Sequence, residues 1–201
     1  MQTLEYGKYY HIYNRGINSC NLFKETSNYE HFLRLYEKYI LPITDTFAYC
    51  LMPNHFHFLV RIKEEKNIYD KINQTGFKNL SGLKIPNRPS KQFSNLFNAY
   101  TKAFNKRYNR SGTLFERPFK RILIENESYL KYLVYYIHHN PVKHGFVEDM
   151  IEYVWSSYLT VSSPKNTKLS RQEVIRWFDD LENLKYFHMQ SHDLDKIKDL
   201  I

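Results

Sequence analysis

The chain is poor in the residues that build small secreted scaffolds and irregular folds. It has two cysteines, Cys20 and Cys50, among 201 residues, which excludes a disulfide framework and every cysteine-rich metal motif. Free thiols in a reducing compartment are the expectation. Six glycines and seven prolines leave no low-complexity or collagen-like stretch. No apolar run approaches the length that crosses a bilayer. The opening MQTLEYGKYYHIYNRG lacks the apolar core of a secretion signal, so a cytoplasmic, nucleoid-associated protein without membrane contact is expected. Acidic residues are also scarce in one place. Between Lys84 and Arg121 stand ten basic residues and a single acid, Glu116.

The plentiful residues are aromatic and basic. Tyrosine (18) outnumbers phenylalanine (14), and the net charge is +8 with a pI near 9.3. A basic chain favours polyanions. Tyrosine buries a ring while keeping a hydroxyl at a wet edge, and it stacks on bases. The basic segment is interleaved with Tyr100, Phe104, Tyr108 and Phe115. This speaks for a nucleic-acid surface over a merely solvated face. The candidate contacts are Arg15, Lys91, Lys102, Lys106, Arg107, Arg110, Arg117, Lys120 and Arg121.

Apolar periodicity predicts strands over 7–14, 46–51, 55–62 and 119–124, with Met52-Pro53-Asn54 closing a hairpin. Helices are expected over 27–40, capped by Ser27 with Glu30, over 67–75, over 92–109, and over 127–139, the last stopped before Pro141. Gly76–Ser90 reads as a loop, and the chain from Lys168 as a helical, charge-mixed tail. The order β-α-β-β-α-β-α with a hairpin predicts an α+β fold of ferredoxin-like type. An antiparallel sheet would carry helices mainly on one face and leave the other open. Residues 1–160 form the expected domain and 161–201 a helical extension.

The segment MPNHFHFLV places His55 and His57 two residues apart on a strand, hence on one face, with Phe56 and Phe58 on the other. Two neutral imidazoles form half of a divalent-metal site, although an unliganded pair on a half-exposed strand is about as common. Tyr100, in NAYTKAFNKRYNR, is a candidate nucleophile beside cations, and Tyr108 is its rival; spacing alone would make either a core or rim aromatic. His11 reads as a locally satisfied strand histidine and Trp155 as a core anchor. His138 and His139 read as helix-end histidines favoured by the dipole, and His188 and His192 as surface groups. NPVKHG reads as a structural stop, with Lys143 available to phosphate.

Taken in order, HIYNRG, LMPNHFHFLV, YTKAFNKRYNRSGTLFERPFKR, YLKYLVYYIHHNPVKHGFV and WSSY resemble the IS200-like tyrosine transposases of the histidine-hydrophobe-histidine (HUH) class. They are most like the REP-associated tyrosine transposase branch. The resemblance implies a single-strand DNA endonuclease and strand transferase acting on hairpin-flanked DNA as a monomer or homodimer. It implies His55 and His57 as ligands of Mg2+ or Mn2+, and Tyr100 as the nucleophile that forms a 5′-phosphotyrosine. A third ligand, Gln or Asn, is expected about one turn beyond the tyrosine. Phe104 cannot serve there, so Asn105 is the candidate. A non-catalytic, domesticated hairpin-binding protein is the alternative, and a metal phosphoesterase for small substrates a more distant one.

Overall fold

The computed structural model describes residues 3–68 and 89–200. The helix expected over 67–75 and the loop over 76–90, with Lys84 and Arg88, fall largely outside them. Strands β1 (Tyr9–Arg15), β2 (Thr44–Met52), β3 (His55–Ile62) and β4 (Lys120–Ile124) alternate with helices α1 (Thr26–Tyr39), α2 (Pro89–Arg107) and α3 (Leu130–Lys143). Three short helices follow, α4 (Tyr158–Ser162), α5 (Arg171–Trp177) and α6 (Leu181–Met189). The sheet is antiparallel throughout, in the order β2-β3-β1-β4. The expected α+β class and the hairpin at Pro53-Asn54 are both present.

Alternation sorts each strand between two cores. On the first face Tyr10, Ile12, Phe56, Phe58 and Val60 pack against Phe32 and Tyr36 of α1 and Phe93, Phe97 and Tyr100 of α2. Each fully buried ring contributes roughly 1.5–3 kcal/mol. On the second face Tyr9, Ala48, Cys50, Met52, Leu59 and Ile124 meet Leu133, Val134 and Ile137 of α3. The expectation of an open histidine face is therefore corrected: α3 lies across it. One residue of β2, Phe47, is bulged where the register shifts between Thr46 and Ala48, and its ring joins the second core.

The tail is built into that second core through Val161, Val174, Phe178, Leu184 and Ile197. Together with Trp155 and Ser157 just before it, the tail also covers the outer edge of β2. Ser157 N–H donates to Tyr49 O (2.9 Å), Ser170 N–H to Thr46 O (2.9 Å), and Leu51 N–H to Trp155 O (3.0 Å). A bare edge would template strand pairing with another chain. Trp155 stacks on Tyr29 with ring centroids 4.4 Å apart, as an anchor should.

Three local expectations change. Ser27 does not cap α1; Glu25 is the N-cap residue, without a side-chain bond, and Ser27 Oγ donates to the Glu25 carboxylate. Helix α3 does not stop before Pro141 but runs through it to Lys143, since His144 N–H still reaches Asn140 O at 3.0 Å. Gly145, at φ +70°, then ends the helix in the left-handed region. Finally, His138 and His188 are neither helix-end nor surface groups. They are buried and bonded to each other, His138 Nδ1 to His188 Nε2 at 3.0 Å, while His192 stacks on Phe187 at 3.8 Å.

Candidate active site

The strand register fixes who faces His55 and His57. Across β1 their partners are Arg15 and Tyr13, and Tyr13 is paired in turn with Lys120 of β4. Directly paired residues of an antiparallel sheet share a face, so Arg15, Tyr13, Lys120 and both histidines lie on one side. Helix α3 crosses this side. Its extra turn through Pro141 lines up Tyr136, Asn140, Lys143 and His144 at spacings of four, seven and eight, one helical stripe.

That stripe meets the histidines. The Tyr136 ring is edge-on to His57 (centroids 5.6 Å) and to His11 (6.1 Å). His144 is edge-on to His55 at 5.0 Å. Lys143 Nζ lies 5.1 Å from the centre of the Tyr136 ring. His55 and His57 are themselves 5.3 Å apart. Their Nδ1 atoms are both engaged: His55 with Asn54 Oδ1 at 2.6 Å and His57 with His11 Nε2 at 2.9 Å.

Burial and positive neighbours keep both imidazoles neutral. His55 is pulled down to about 4, first by desolvation and then by the fields of His144 and Arg15. His57 is held well below its ordinary value by its burial and by His11, His55, His144 and Lys143. A neutral imidazole is the ligand form. The Tyr136 phenol is raised by desolvation, while the adjacent Asn140 amide draws it back. Asn140 is fully buried; its Nδ2 donates to Tyr136 O (2.9 Å), and its Oδ1 has no hydrogen-bond partner. A buried amide oxygen left unpaired costs about 1–3 kcal/mol. Among the described residues no group of three or more His, Cys, Asp or Glu is arranged to hold a metal. A cation here would rest on two imidazoles and an amide oxygen, a donor set suited to a borderline-to-hard divalent ion.

Tyr100 is not brought to the histidines. It lies in the first core, across the sheet from them, 1% exposed, with its hydroxyl donating to Leu22 O at 2.6 Å. Desolvation raises its phenol. Tyr108, also packed against the first core, donates to Asn28 Oδ1. Asn105 braces the turn after α2, donating to Gly112 O and accepting from Arg110. The assignments of Tyr100 as nucleophile and Asn105 as ligand are therefore corrected on geometry. Tyr100→Phe is expected to lower stability by about 1–2 kcal/mol through the unpaired Leu22 carbonyl, measured by urea unfolding, and to leave the histidine face intact.

The basic segment divides in space. Arg15 and Lys120 are exposed on the histidine face, where Arg15 reaches Ser19 Oγ (3.1 Å) and lies 3.6 Å from Glu116. Helix α2 sits on the other side, and its Lys91, Lys102 and Lys106 are exposed. Arg107 is ion-paired with Glu25, and Arg110 also donates to Thr113 O (2.6 Å). Arg117 is exposed, and Arg121, one residue on from Lys120 and so on the opposite face, donates to Ser90 Oγ at 2.7 Å.

Tyr136 carried no expectation, Asn140 and His144 stood in the sequence only as part of the NPVKHG stop, and His11, expected to be satisfied locally, is engaged with His57. One signal could have found the first three: the four-residue step from Tyr136 to Asn140 and on to His144, hidden by treating Pro141 as a stop.

No family model matches the chain. Over 117 residues, 57% of its length, it is 30% identical to a Haemophilus influenzae protein named "Putative REP-associated tyrosine transposase". The chain spans 58% of that relative's length. A solved structure of a REP-associated tyrosine transposase bound to a REP hairpin superposes with a TM-score of 0.57. That match covers 80% of this chain and 82% of the other at 16% identity, a likeness of fold. The resemblance carried by the motifs thus extends to a sequence relative and to a shared α+β architecture. No helix among the described residues is long and apolar enough to cross a membrane.

Proposed function

We propose that this chain cleaves and joins single-stranded, hairpin-flanked DNA in the manner of a transposase, with Tyr136 as its nucleophile. The observation that carries the reading is the packing of one stripe of α3 on the histidines, the Tyr136 ring against His57 and His144 against His55, with Asn140 and its unpaired Oδ1 on the same stripe. Asn140 stands one helical turn beyond Tyr136, the place at which the resemblance calls for an amide ligand.

His55 Nε2, His57 Nε2 and Asn140 Oδ1 would hold Mg2+ or Mn2+. What the ion supplies when bound is positive charge, to polarise a phosphate oxygen and favour the phenolate over the phenol. The chain does the rest. Tyr136 Oη attacks phosphorus and forms the phosphotyrosine bond; the bond to the 3′ oxygen breaks, and that oxygen leaves as a hydroxyl. Lys143, above the Tyr136 ring, favours the anion on either the phenol or the phosphate. A second 3′-hydroxyl reverses the step without ATP, because the phosphodiester energy is kept in the protein–DNA link. Arg15, Lys120, Lys143 and the exposed His144 ring line the route by which a strand would reach Tyr136.

The test is cleavage of end-labelled single-stranded hairpins, drawn from the flanks of the chain's own gene, with Mn2+ and with EDTA. Cleavage that requires the ion supports the reading. Tight binding without cleavage under any condition would move the protein to the domesticated, hairpin-binding alternative. In the same assay Arg15→Ala and Lys120→Ala are each expected to reduce the slope of log affinity against log salt by about 1. Lys102→Ala, on the far side, is expected to leave that slope unchanged.

A further inference from the structure

We propose that His11 is a positioning residue: its Nε2 accepts a hydrogen bond from His57 Nδ1–H and thereby leaves His57 Nε2 unprotonated toward the site. The inference rests on the reading of His57 as a ligand.

The two site histidines need the same tautomer and reach it by different means. His55 Nδ1 is 2.6 Å from an amide oxygen of Asn54, which can only accept, so His55 carries its proton on Nδ1 and has a free lone pair on Nε2. His57 has no oxygen at that position. Its Nδ1 faces His11 Nε2 at 2.9 Å, and one of the two nitrogens must carry the proton. With the proton on His57, both site imidazoles present Nε2 lone pairs. With the proton on His11 Nε2, neutral His57 must carry its own proton on Nε2, which closes it to any ligand.

The surroundings hold His11 to this role. His11 is 0% exposed and sits on β1 diagonally across from His57, two residues along from Tyr13, the direct partner. The His11 and His57 rings are 5.1 Å apart and 21° from parallel. Tyr13 stacks on His57 at 5.6 Å, and Tyr136 sets its edge against both. Neither imidazole can swing to another partner without displacing these rings. A carboxylate could accept the same bond, but at zero exposure it would be a buried charge. A neutral imidazole supplies the lone pair without that cost.

The experiment reads the tautomer of His57 directly, from its ring 15N shifts in the metal-free full chain, with His57→Asn to assign the signal. Wild type is expected to show Nδ1–H. His11→Gln, whose amide oxygen can accept the same bond, should keep it. His11→Leu should shift His57 toward Nε2–H and weaken Mn2+ binding about 10–100-fold by calorimetry, with His11→Gln restoring most of the loss. Wild-type His57 found as Nε2–H, or a folded His11→Leu that keeps both tautomer and Mn2+ affinity, would overturn the proposal. If His11→Leu does not fold, wild type and His11→Gln still decide it. Failure of wild type to bind Mn2+ would instead overturn the metal reading, and the tautomer would still decide the role of His11.

Discussion

Tyr136→Phe is expected to abolish covalent capture of single-stranded DNA, lowering the cleavage rate by at least about 10³-fold. The substitution removes one oxygen and keeps the ring that packs against His11 and His57. Folding and DNA affinity should therefore stay close to wild type, as thermal unfolding and filter binding would check. Tyr100→Phe supplies the opposite pattern, a measurable loss of stability with chemistry intact. If the two variants behave the other way round, strand cleavage does not occur on the histidine face.

Acid is expected to destabilise the protein well before its carboxylates titrate. The cause is a buried chain of hydrogen bonds that fastens the C-terminal helices to α3. Leu184 O can only accept, so His188 Nδ1 must donate to it (2.8 Å). Neutral His188 then accepts at Nε2 from His138 Nδ1–H (3.0 Å), and His138 accepts at Nε2 from the Ser157 hydroxyl (2.7 Å). The oxygen of that hydroxyl accepts from Tyr49 N–H at 2.8 Å. Every polar atom in the series is used: a further proton on His188 would set its Nε2–H against His138 Nδ1–H, and one on His138 would set its Nε2–H against the Ser157 hydroxyl hydrogen. Burial holds His138 well below its ordinary value and His188 down to about 4. Between pH 6.5 and 4 the unfolded chain binds protons that the folded chain refuses, so stability falls as pH falls through that window. For His188 alone the loss amounts to roughly 3 kcal/mol across it. His55, His57, His31, His139 and His144 are also held low and act with the same sign, so wild type sums all of them. His188→Leu isolates the clasp. At neutral pH it should cost about 1–3 kcal/mol, from the His138 Nδ1–H left unpaired, and it should flatten the acid dependence. Urea unfolding at pH 7.5 and pH 5.0 measures both effects.

The sequence made the strands legible because their signals are local. Alternation set His55 and His57 on one face and Phe56 and Phe58 on the other, and both the hairpin and the β-α-β-β-α-β-α order follow from turn residues and periodicity. The site was half legible. Which face of a sheet a helix covers depends on the crossover, and nothing in the spacing of Tyr100 or Tyr136 states it. Helix α2 holds Tyr100 and α3 holds Tyr136, and both helices carry apolar stripes. Tyr100 stood among cations in the chain, yet α2 lies on one face while β4 turns its side chains to both, and the run of positive charge divides between the faces. Pro141 hid the rest. Its missing N–H suggested a stop, but in the last turn of a helix few bonds remain to be lost. Continuing through it places Asn140 and His144 in line with Tyr136. His138 and His188 lie 50 residues apart, and their contact follows only from the packing of the tail against α3.

The most direct test of the central claim is to trap the protein–DNA adduct with Mn2+, digest it, and locate the nucleotide-bearing peptide by mass spectrometry. The modification is expected on Tyr136, in the peptide containing YYIHHNPVK. A nucleotide on Tyr100, or on any tyrosine away from the histidine face, would contradict it.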